Sequence, residues 1–586
     1  MVPAFSDIAG TQEKDSRALF DSAVQASVAL GEAVRRSFGP NGIDVLLESS
    51  EGHVTCSNCG RQILSSLSLS HPVGSIISKS VTNYHNNTGD GSKKMLLVLS
   101  GTMKELGSSV HSLSKIEVSN ALLWLNQTVI PEVTARLRKN KPICQTARDS
   151  EDLRRMLLKI ATSCYGHCYR REISQKLGEI LSALVHHSFS TLHNTTPHSI
   201  GKYVEFTRKN MAVLLVPQPS HSLSAARTIP GLLLDLNLVH PLMRDLVTEE
   251  WQTKRGGVGR KLRCLLVRSW SPESDDDHPL HYLPQLCVNS LGGVAKVAES
   301  FSRQLQETVS LLKAADIQLI LSGDKIPTGA RYVLRERGIL AFEVVSEGFV
   351  DVLSECCSIH PLSTIHEMRD SSSAIGSSVW LSFSLVSMET NKQFVCLEPP
   401  PEVHLRPLSV VLCAPTAGLC RQLQQRLSNV LRVVGGVCCH DDDDDPPAVV
   451  LGGGAWEIAL IRELEIFKKH QNLVKYSPKW VAVNAFQKGL LSVPHSLLTS
   501  SVPSHARNPL SLRTLYCGSF TTTADLPYLA VDCLNGVLVE VDEQWPVLEP
   551  FSSQCHLLHA VLSLAAQLTR LDLMAPASKS PSTHDI

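Results

Sequence analysis

Three short glycine-rich segments of this chain have residues that could bind the phosphates of a nucleotide. They are FGPNG (38–42), TGDGS (88–92) and LGGGAWE (451–457), and the acidic Glu549 follows in VLEP (547–550). Backbone N–H groups in a glycine turn that leads into a helix converge on a phosphate, and the helix dipole adds roughly half a positive charge there. The segments lack the G-x-x-x-x-G-K-[ST] spacing of a Walker loop. They indicate phosphate binding of another kind.

Asp90 lies between Gly89 and Gly91, directly before a helix that is predicted to begin near Ser92. A carboxylate alone would repel a phosphate, so its use in such a loop is to bind a Mg²⁺ ion that bridges the carboxylate and the phosphates. A single GDG is also common in plain turns between helices. The phosphate interpretation therefore depends on the three segments occurring together.

Length and charge restrict the class of protein. At 586 residues the chain is too long for one hydrophobic core, and roughly three or four domains are expected. A net charge of −1 gives no overall field that attracts nucleic acid or an acidic membrane. The first residues lack the pattern of a signal peptide, and no apolar run reaches the roughly 20 residues that span a bilayer. We expect a soluble intracellular protein with no nucleic-acid partner and no membrane insertion.

The cysteines and one acidic run allow other interpretations. Most of the 17 cysteines are scattered, as expected of small buried hydrophobic residues in a reducing compartment. CSNC (56–59) and CYGHC (164–168) have the close spacing of metal or redox cysteines, although a zinc site would need a clearer second pair. The aspartates of HDDDDDPP (440–447) are interpreted as a solvated, disordered loop, because the glycine and glutamate of a calcium loop are missing.

Apolar periodicity predicts mainly helical segments at both ends of the chain. Helices are predicted at about 15–36, from about 61, from about 92 to 106, across most of 117–190, in AGLCRQLQQRLSNVLRVV, and in CHLLHAVLSLAAQLTRLDLM near the C-terminus. FGPNG ends the first helix, since proline and glycine favour a turn. IDVLLES and GHVTCSN are predicted as two short strands.

Between about 200 and 405 the pattern changes to short β-rich runs separated by turns. These runs include YVEFTR, MAVLLVP, GLLLDLNL and LRCLLVRSW. After a helix with apolar residues from Val294 to Leu312 come a strand, IQLIL, a helix around ARYVLRER, and a strand, ILAFEVV (339–345). This β-α-β order indicates a sheet with parallel strands covered by helices. The predicted fold class is multi-domain α plus α/β, with the α/β domain inserted between two helical ends.

The order of the glycine segments and VLEP resembles the group II chaperonin family, the cytosolic and archaeal ring chaperones. The resemblance runs along nearly the whole chain and includes ARTIPGLLLDLNLVHP (226–241). It implies a chaperonin fold, with a mainly helical equatorial domain from both chain ends, a helical intermediate hinge domain and an inserted α/β apical domain that binds substrate. The implied segments are equatorial at 1–130, intermediate at 131–202, apical at 203–365, intermediate at 366–408, equatorial at 409–575 and a disordered tail at 576–586.

The resemblance also implies the residues of a nucleotide site and two cofactors, ATP and Mg²⁺. The matched positions of the first phosphate turn, of the phosphate and Mg²⁺ loop and of the glycine run near the adenosine are Gly39, Pro40, Gly42, Gly89, Asp90, Gly91, Gly452, Gly453 and Gly454. Asp90 would be the Mg²⁺ ligand, and Glu549 matches an acidic residue near the ribose. Ser92 keeps one of the two hydroxyl residues that normally follow, whereas Lys93 replaces the other. A lysine there either meets phosphate as a point charge or points to solvent.

Two positions depart from the family pattern. Asn58-Cys59-Gly60 replaces asparagine-aspartate-glycine, and the aspartate that orients the attacking water aligns with Gln425. Hydrolysis needs a carboxylate to position and deprotonate water, and each neutral replacement is expected to cost about 10² to 10⁴ in rate. No catalytic residue is therefore assigned. A shift of register along this helix would change the Gln425 assignment.

Lost carboxylates of this kind resemble the vertebrate chaperonin-like proteins linked to Bardet–Biedl syndrome. SVVLCAPTAGLC (409–420) and the stretch from GHVTCSNCG to GDGSKK are similar to that subgroup. The resemblance implies cytosolic ring chaperonin subunits and sister chaperonin-like proteins as partners, BBSome subunits as clients, and a location in the cytoplasm, at the centrosome or basal body, and at the cilium.

Three hypotheses follow from the sequence. The main one is an assembly factor that binds ATP and hydrolyses it weakly or not at all. The first alternative is an active ATP-hydrolysing group II chaperonin subunit that folds general clients. The second alternative is a metal or redox enzyme that uses Cys56, Cys59, Cys164 and Cys168.

Overall fold

A computed structural model describes most of the chain. The described residues are 5–48, 54–69, 71–109, 113–165, 171–192, 196–241, 243–244, 260–270, 291–368, 371–388, 392–403, 405–438, 446–501, 528–533, 535–542 and 545–572. They divide into two compact units. Unit 1 is drawn from residues 1–185, 196–204 and 425–586, and unit 2 from residues 186–195 and 205–424. The two ends of the chain therefore fold into one unit.

The helices and strands of the described residues follow in chain order. The helices are α1 (Phe5–Arg35), α2 (Gly60–Ser66), α3 (Pro72–Thr88), α4 (Ser92–Ser109), α5 (Lys115–Trp124), α6 (Ile130–Arg138), α7 (Ser150–Tyr165), α8 (Arg171–Thr191), α9 (Pro197–Lys209), α10 (Met211–Leu214), α11 (Leu291–Ala314), α12 (Thr328–Glu336), α13 (Glu347–Cys357), α14 (Ser371–Gly376), α15 (Ala417–Cys438), α16 (Ala455–His470), α17 (Pro478–Ser501) and α18 (Phe551–Thr569). The strands are β1 (Val45–Glu48), β2 (Val54–Ser57), β3 (Cys144–Thr146), β4 (Leu215–Pro219), β5 (Arg227–Pro230), β6 (Leu232–Asp235), β7 (Arg260–Ser269), β8 (Leu319–Ser322), β9 (Leu340–Phe342), β10 (Leu362–Thr364), β11 (Ser378–Ser387), β12 (Gln393–Glu398), β13 (Leu408–Ala414), β14 (Ala448–Leu451), β15 (Leu529–Asp532), β16 (Val537–Glu540) and β17 (Leu548–Pro550).

Unit 1 is built around α4, which is apolar on all sides from Met95 to Leu99. Every side chain from Met95 to Leu99 is buried, which is typical of a helix enclosed by other elements. The N-terminal α1 and the C-terminal α17 and α18 pack against it. Beside these helices, β3, β14 and β17 form an antiparallel sheet in which Val449 pairs with both Gln145 and Pro550. Residues far apart in sequence thus share one core.

Unit 2 contains a seven-stranded mixed sheet. Its strand order is β6-β12-β11-β7-β8-β9, and β10 pairs with β7. β8 is parallel to both β7 and β9, whereas β11 is antiparallel to β7 and β12. Leu265, Leu266 and Leu319 are fully buried in its core. A second sheet has the order β4-β13-β5.

The structure confirms the predicted fold class and most predicted elements. The predicted β-α-β element is formed by β8, α12 and β9. The strand predicted at YVEFTR is wrong, because these residues belong to α9. Ile200, Tyr203, Val204 and Thr207 are buried at helical spacing, so the apolar period of this segment is that of a helix. MAVLLVP begins as the short helix α10 and becomes a strand only at Leu215.

Three predicted features include residues that the structure does not describe. The last three residues of CYGHC, the aspartates 441–445 and the predicted tail lie outside the described residues. The boundaries of the six predicted segments remain a prediction.

Candidate nucleotide site

The GDG loop connects α3 to α4 with a tight turn. Gly89 follows the last residue of α3 in the left-handed conformation, with φ +81°, and its N–H donates to the His85 carbonyl at 2.8 Å. A Cβ on Gly89 would lie 2.2 Å from the backbone oxygen of Asn429 in α15. Both the conformation and the close approach therefore require glycine here.

Asp90 is exposed at the tip of this loop. Its Oδ1 accepts a hydrogen bond from the Gly91 N–H at 2.6 Å, and its backbone carbonyl accepts one from the Thr88 hydroxyl at 2.8 Å. These bonds hold the carboxylate at the entrance to α4. It is oriented and accessible, which are the properties required of a metal ligand that shares its ion with a phosphate.

The FGPNG turn lies next to the GDG loop. It begins where α1 ends: the Ser37 N–H donates to the Val34 carbonyl at 3.1 Å, and the Gly42 N–H donates to the Gly39 carbonyl at 3.1 Å. Pro40 is half-buried between them. The Lys93 ammonium donates to the Ser37 carbonyl at 2.5 Å. Lys93 thus points to the first turn rather than to open solvent.

The glycine run 452–454 reaches the same region. It connects β14 to α16, and the Gly452 N–H donates to the Val547 carbonyl at 2.9 Å. A Cβ on Gly454 would lie 3.8 Å from the Leu497 side chain, and a Cβ on Gly39 would lie 3.1 Å from the same side chain. Leu497 of α17 therefore lies between the first turn and the glycine run, and the three segments meet in unit 1.

A buried ion cluster connects the same elements. The Lys94 ammonium lies 2.8 Å from the Glu457 carboxylate and 2.6 Å from that of Glu549, and it donates to the Gln554 side chain at 3.4 Å. The Lys94 and Glu457 side chains are 8% and 2% exposed, so these are true interior charges. Burial alone would lower the pKa of Lys94, but the two carboxylates outweigh it and raise this pKa. Burial raises the pKa of Glu549, and Lys94 opposes that shift.

Sequence reasoning missed two members of this cluster. The expected place of Glu549 near a ribose stays a prediction, and its carboxylate lies on the Lys94 ammonium. Lys94 and Glu457 were not singled out, although each stands among apolar residues, in SKKMLLVL and GAWEIAL. A charged residue in such a setting is rarely buried without a partner, and this is the signal that would have found the pair.

The positions that lack a carboxylate also border the loop. Cys59 immediately precedes α2, and a Cβ on the next residue, Gly60, would lie 2.6 Å from the Ser92 hydroxyl. On α15 the residue against Gly89 is Asn429, one helical turn after the predicted Gln425. Neither Cys59 nor Asn429 carries a carboxylate, and the assignment of the water-orienting position to Gln425 stays a prediction.

Buried polar atoms near the loop are left without partners. The Asn429 Oδ1 and both ring nitrogens of His85 are buried and have no hydrogen-bond partner among the described residues. Together with the converging glycines and the accessible Asp90, they fit a site for a phosphate-bearing ligand and its Mg²⁺ ion. Within the described ranges, no group of three or more His, Cys, Asp or Glu side chains is placed to hold a metal. A Mg²⁺ ion held by Asp90 would take further ligands from the phosphates.

The cysteines predicted as a metal alternative are placed only in part. Cys56 is exposed on β2, and Cys59 is half-buried. Cys168 lies outside the described residues, so the four-cysteine site remains a hypothesis. In the part of the chain that the structure covers, no helix is both long enough and apolar enough to cross a membrane.

Comparisons with known proteins agree with this architecture. The model of the TCP-1/cpn60 chaperonin family matches residues 30–579. The chain is 20% identical to the thermosome subunit alpha of Saccharolobus shibatae over 577 residues, which are 97% of this chain and 93% of the relative. It is 22% identical to the thermosome subunit beta of Thermoplasma acidophilum over 374 residues, 63% of this chain and 62% of the relative. The chain therefore belongs to the TCP-1/cpn60 chaperonin family.

Proposed function

We propose that this chain is a chaperonin-like molecular chaperone, an assembly factor that binds ATP with Mg²⁺ and hydrolyses it weakly or not at all. One observation carries the proposal. The three glycine segments meet in unit 1, yet the residues that border the GDG loop from α2 and α15 carry no carboxylate: Cys59 precedes α2, and the Asn429 backbone oxygen faces Gly89. The elements for holding phosphate are retained, whereas the groups that would activate water are lost.

The residues have separable roles in this proposal. Thermosome-type chaperonins use ATP with Mg²⁺, and here Asp90 would hold the ion, whose charge offsets that of the phosphates when bound. The glycine segments would present backbone N–H groups to the phosphates. Lys94 ties α4 to α16 and β17, which positions the segments. A thiol and an amide do not accept a proton from water as a carboxylate does, so each replacement should slow hydrolysis by about 10² to 10⁴.

The finer assignments belong to the same proposal. We place unit 1 as the equatorial domain with intermediate segments, and the seven-stranded sheet of unit 2 in the apical domain. The neutral residues at 59 and 429 support a place among the chaperonin-like proteins linked to Bardet–Biedl syndrome. The partners would then be cytosolic ring chaperonin subunits and sister proteins, the clients BBSome subunits, and the location the cytoplasm, basal body and cilium.

Binding and hydrolysis are measured separately to test the proposal. ATP with Mg²⁺ should bind the purified chain, and Asp90→Ala should weaken binding about tenfold or more, since it removes a metal ligand. Asp21→Ala, at an exposed position on α1, is the matched control and should bind as wild type does. Single-turnover hydrolysis should be slow, and the double variant Cys59→Asp, Asn429→Asp should accelerate it. Turnover at the rate of a ring chaperonin would reject the proposal.

The second candidate is an active subunit that forms its own ring. The complete set of glycine segments and the similarity to thermosome subunits over 97% of the chain favour it. The mass in solution distinguishes the two candidates. A species of several hundred kilodaltons that contains only this chain supports the ring, whereas a single 64.0 kDa chain supports the assembly factor.

A further inference from the structure

Lys93 reaches across the candidate site from the GDG side to the first turn. It is the second residue of α4, and its side chain passes over Gly60, where a Cβ would lie 2.7 Å from the Lys93 Cγ. Its ammonium ends 2.5 Å from the Ser37 carbonyl oxygen. The half-buried Lys93 side chain thus joins the two segments that are proposed to hold phosphates.

The Ser37 carbonyl is a favourable place for a cation. It lies two residues after Arg35, the last residue of α1, at the end of the helix where the dipole is negative. A lysine ammonium has three N–H donors, and Ser37 takes one of them. Two donors therefore remain for another acceptor while the ammonium is held in place.

Lys93 and Lys94 differ in how their charges are balanced. Lys94 is paired with two carboxylates. The Lys93 hydrogen bond goes to a neutral carbonyl, and within the described part of the chain no carboxylate forms an ion pair with it. Burial lowers the pKa of Lys93, and the negative charges of Asp90 and Asp44 oppose that shift. Lys93 therefore brings a positive charge to the site that its closest contact does not neutralise.

We propose that the Lys93 ammonium is a resident cation of the phosphate site, so that this chain binds nucleoside di- and triphosphates without a divalent metal ion. The inference rests on the proposed function, because it assumes that the glycine segments bind phosphate. A Mg²⁺ ion at Asp90 supplies positive charge to the phosphates and holds them near the loop. A tethered ammonium supplies charge at a fixed position and donates hydrogen bonds to phosphate oxygens.

Calorimetric titration of the full chain with ADP and ATP, in Mg²⁺ and in EDTA, tests this inference. Wild type is expected to bind in EDTA with a Kd about tenfold above its Kd in Mg²⁺, the same loss that removal of the metal ligand in Asp90→Ala causes. Lys93→Met should weaken binding in EDTA about tenfold or more, because a hydrogen bond to a charged group contributes roughly that much affinity. Lys93→Thr, which restores a hydroxyl, should bind only when Mg²⁺ is present. Lys104→Met, at an exposed position of the same helix, is the matched control and should behave as wild type.

The outcomes separate this inference from the proposed function. If wild type needs Mg²⁺ as strictly as Lys93→Thr does, the inference is overturned and the nucleotide site stands. If the folded wild-type chain binds neither nucleotide in either buffer, both are overturned. Melting curves show whether each variant folds. Should Lys93→Met fail to fold, Lys93→Arg keeps the charge and must retain binding in EDTA, while Lys93→Thr must lose it.

Discussion

Lys94 shows how one residue stabilises the candidate site. Its ammonium is the shared partner of Glu457 and Glu549, and the first of these is almost fully buried. Taking the Glu457 carboxylate into the interior carries a large desolvation cost, which only a close cation offsets. The cluster is therefore best regarded as a positioning device whose members depend on each other.

Lys94→Met is expected to destabilise the chain by about 3–5 kcal/mol, because it leaves the buried Glu457 and the partly buried Glu549 without their cation. The triple variant that adds Glu457→Gln and Glu549→Gln removes the unpaired charges and should recover part of this loss. Urea unfolding monitored by fluorescence measures both changes. Lys104→Met, on the same helix and exposed, is the control and should be nearly neutral. A triple variant less stable than Lys94→Met would contradict the charge argument.

His85 should make stability depend on pH. Burial lowers the pKa of this histidine, although Asp90 partly counteracts the shift. Because the folded-state pKa lies below the ordinary value of about 6.5, the unfolded chain takes up a proton first as pH falls. Stability is therefore lost as pH falls through 6.5 toward the folded-state pKa, and it is retained above 6.5.

Melting of wild type and His85→Gln at pH 7.5 and pH 5.5 checks this sign. The variant should lose less stability on acidification. Burial also lowers the pKa of His187 and His559. Both histidines are present in wild type and in His85→Gln, so they contribute equally to the two pH slopes. The difference between the two pH slopes therefore isolates His85, and equal slopes would show that its protonation is not linked to folding.

At the scale of single residues, two things could not be predicted from the sequence: the register of α15, and the partners of Lys94 and Glu457. The glycine segments were found from sequence because a tight turn restricts the residue type. Gln425 and Asn429 stand one helical turn apart, so both lie on nearly the same face of α15 and an apolar pattern does not separate them. Lys94 and Glu457 each violate local pattern, but which residues they pair with depends on a packing that only the folded structure gives.

The connection between α3 and α4 is the element on which the site depends most. Gly89→Ala is expected to reduce stability by more than 1 kcal/mol and to weaken ATP binding, because a left-handed φ of +81° and the Asn429 carbonyl both oppose a Cβ. Gly418→Ala on α15 is the matched control, since a Cβ there meets nothing within 4 Å. Alanine in place of that helical glycine should be neutral or slightly stabilising. Thermal melting and calorimetry measure both variants, and equal effects would contradict the steric argument.

Prediction of elements succeeded where the apolar period was long and failed where segments were short. The helices α4 and α11 extend over many turns, and their periods identified them. YVEFTR is rich in aromatic and β-branched residues, which favour strands, yet the period over the longer α9 is helical. β3 has three residues, and it exists because β14, about 300 residues later, pairs with it. No local pattern contains that information.

At the scale of the whole molecule, the ends of the chain are joined by specific bonds within unit 1. The Tyr84 hydroxyl donates to the Ser553 carbonyl at 2.9 Å, and the Ser119 hydroxyl donates to the Ala566 carbonyl at 2.9 Å. The split arrangement could be expected from the helical pattern at both ends. The pairing of particular helices could not, because many apolar faces of similar length are compatible with each other.

This arrangement predicts that damage near the C-terminus loosens the N-terminal half of the site. Leu562 of α18 is fully buried, and Leu562→Ala should cost about 2–5 kcal/mol through the lost contacts and the cavity that remains. Because α18 packs on α4 and α5, amide hydrogen exchange measured by mass spectrometry should become faster in α4, more than 450 residues away in sequence. His556→Ala, at an exposed position of the same helix, is the control and should leave exchange in α4 unchanged. If exchange in α4 is the same in wild type and Leu562→Ala, the two ends of the chain do not form one cooperative core, and the nucleotide site would have to be assembled in another way.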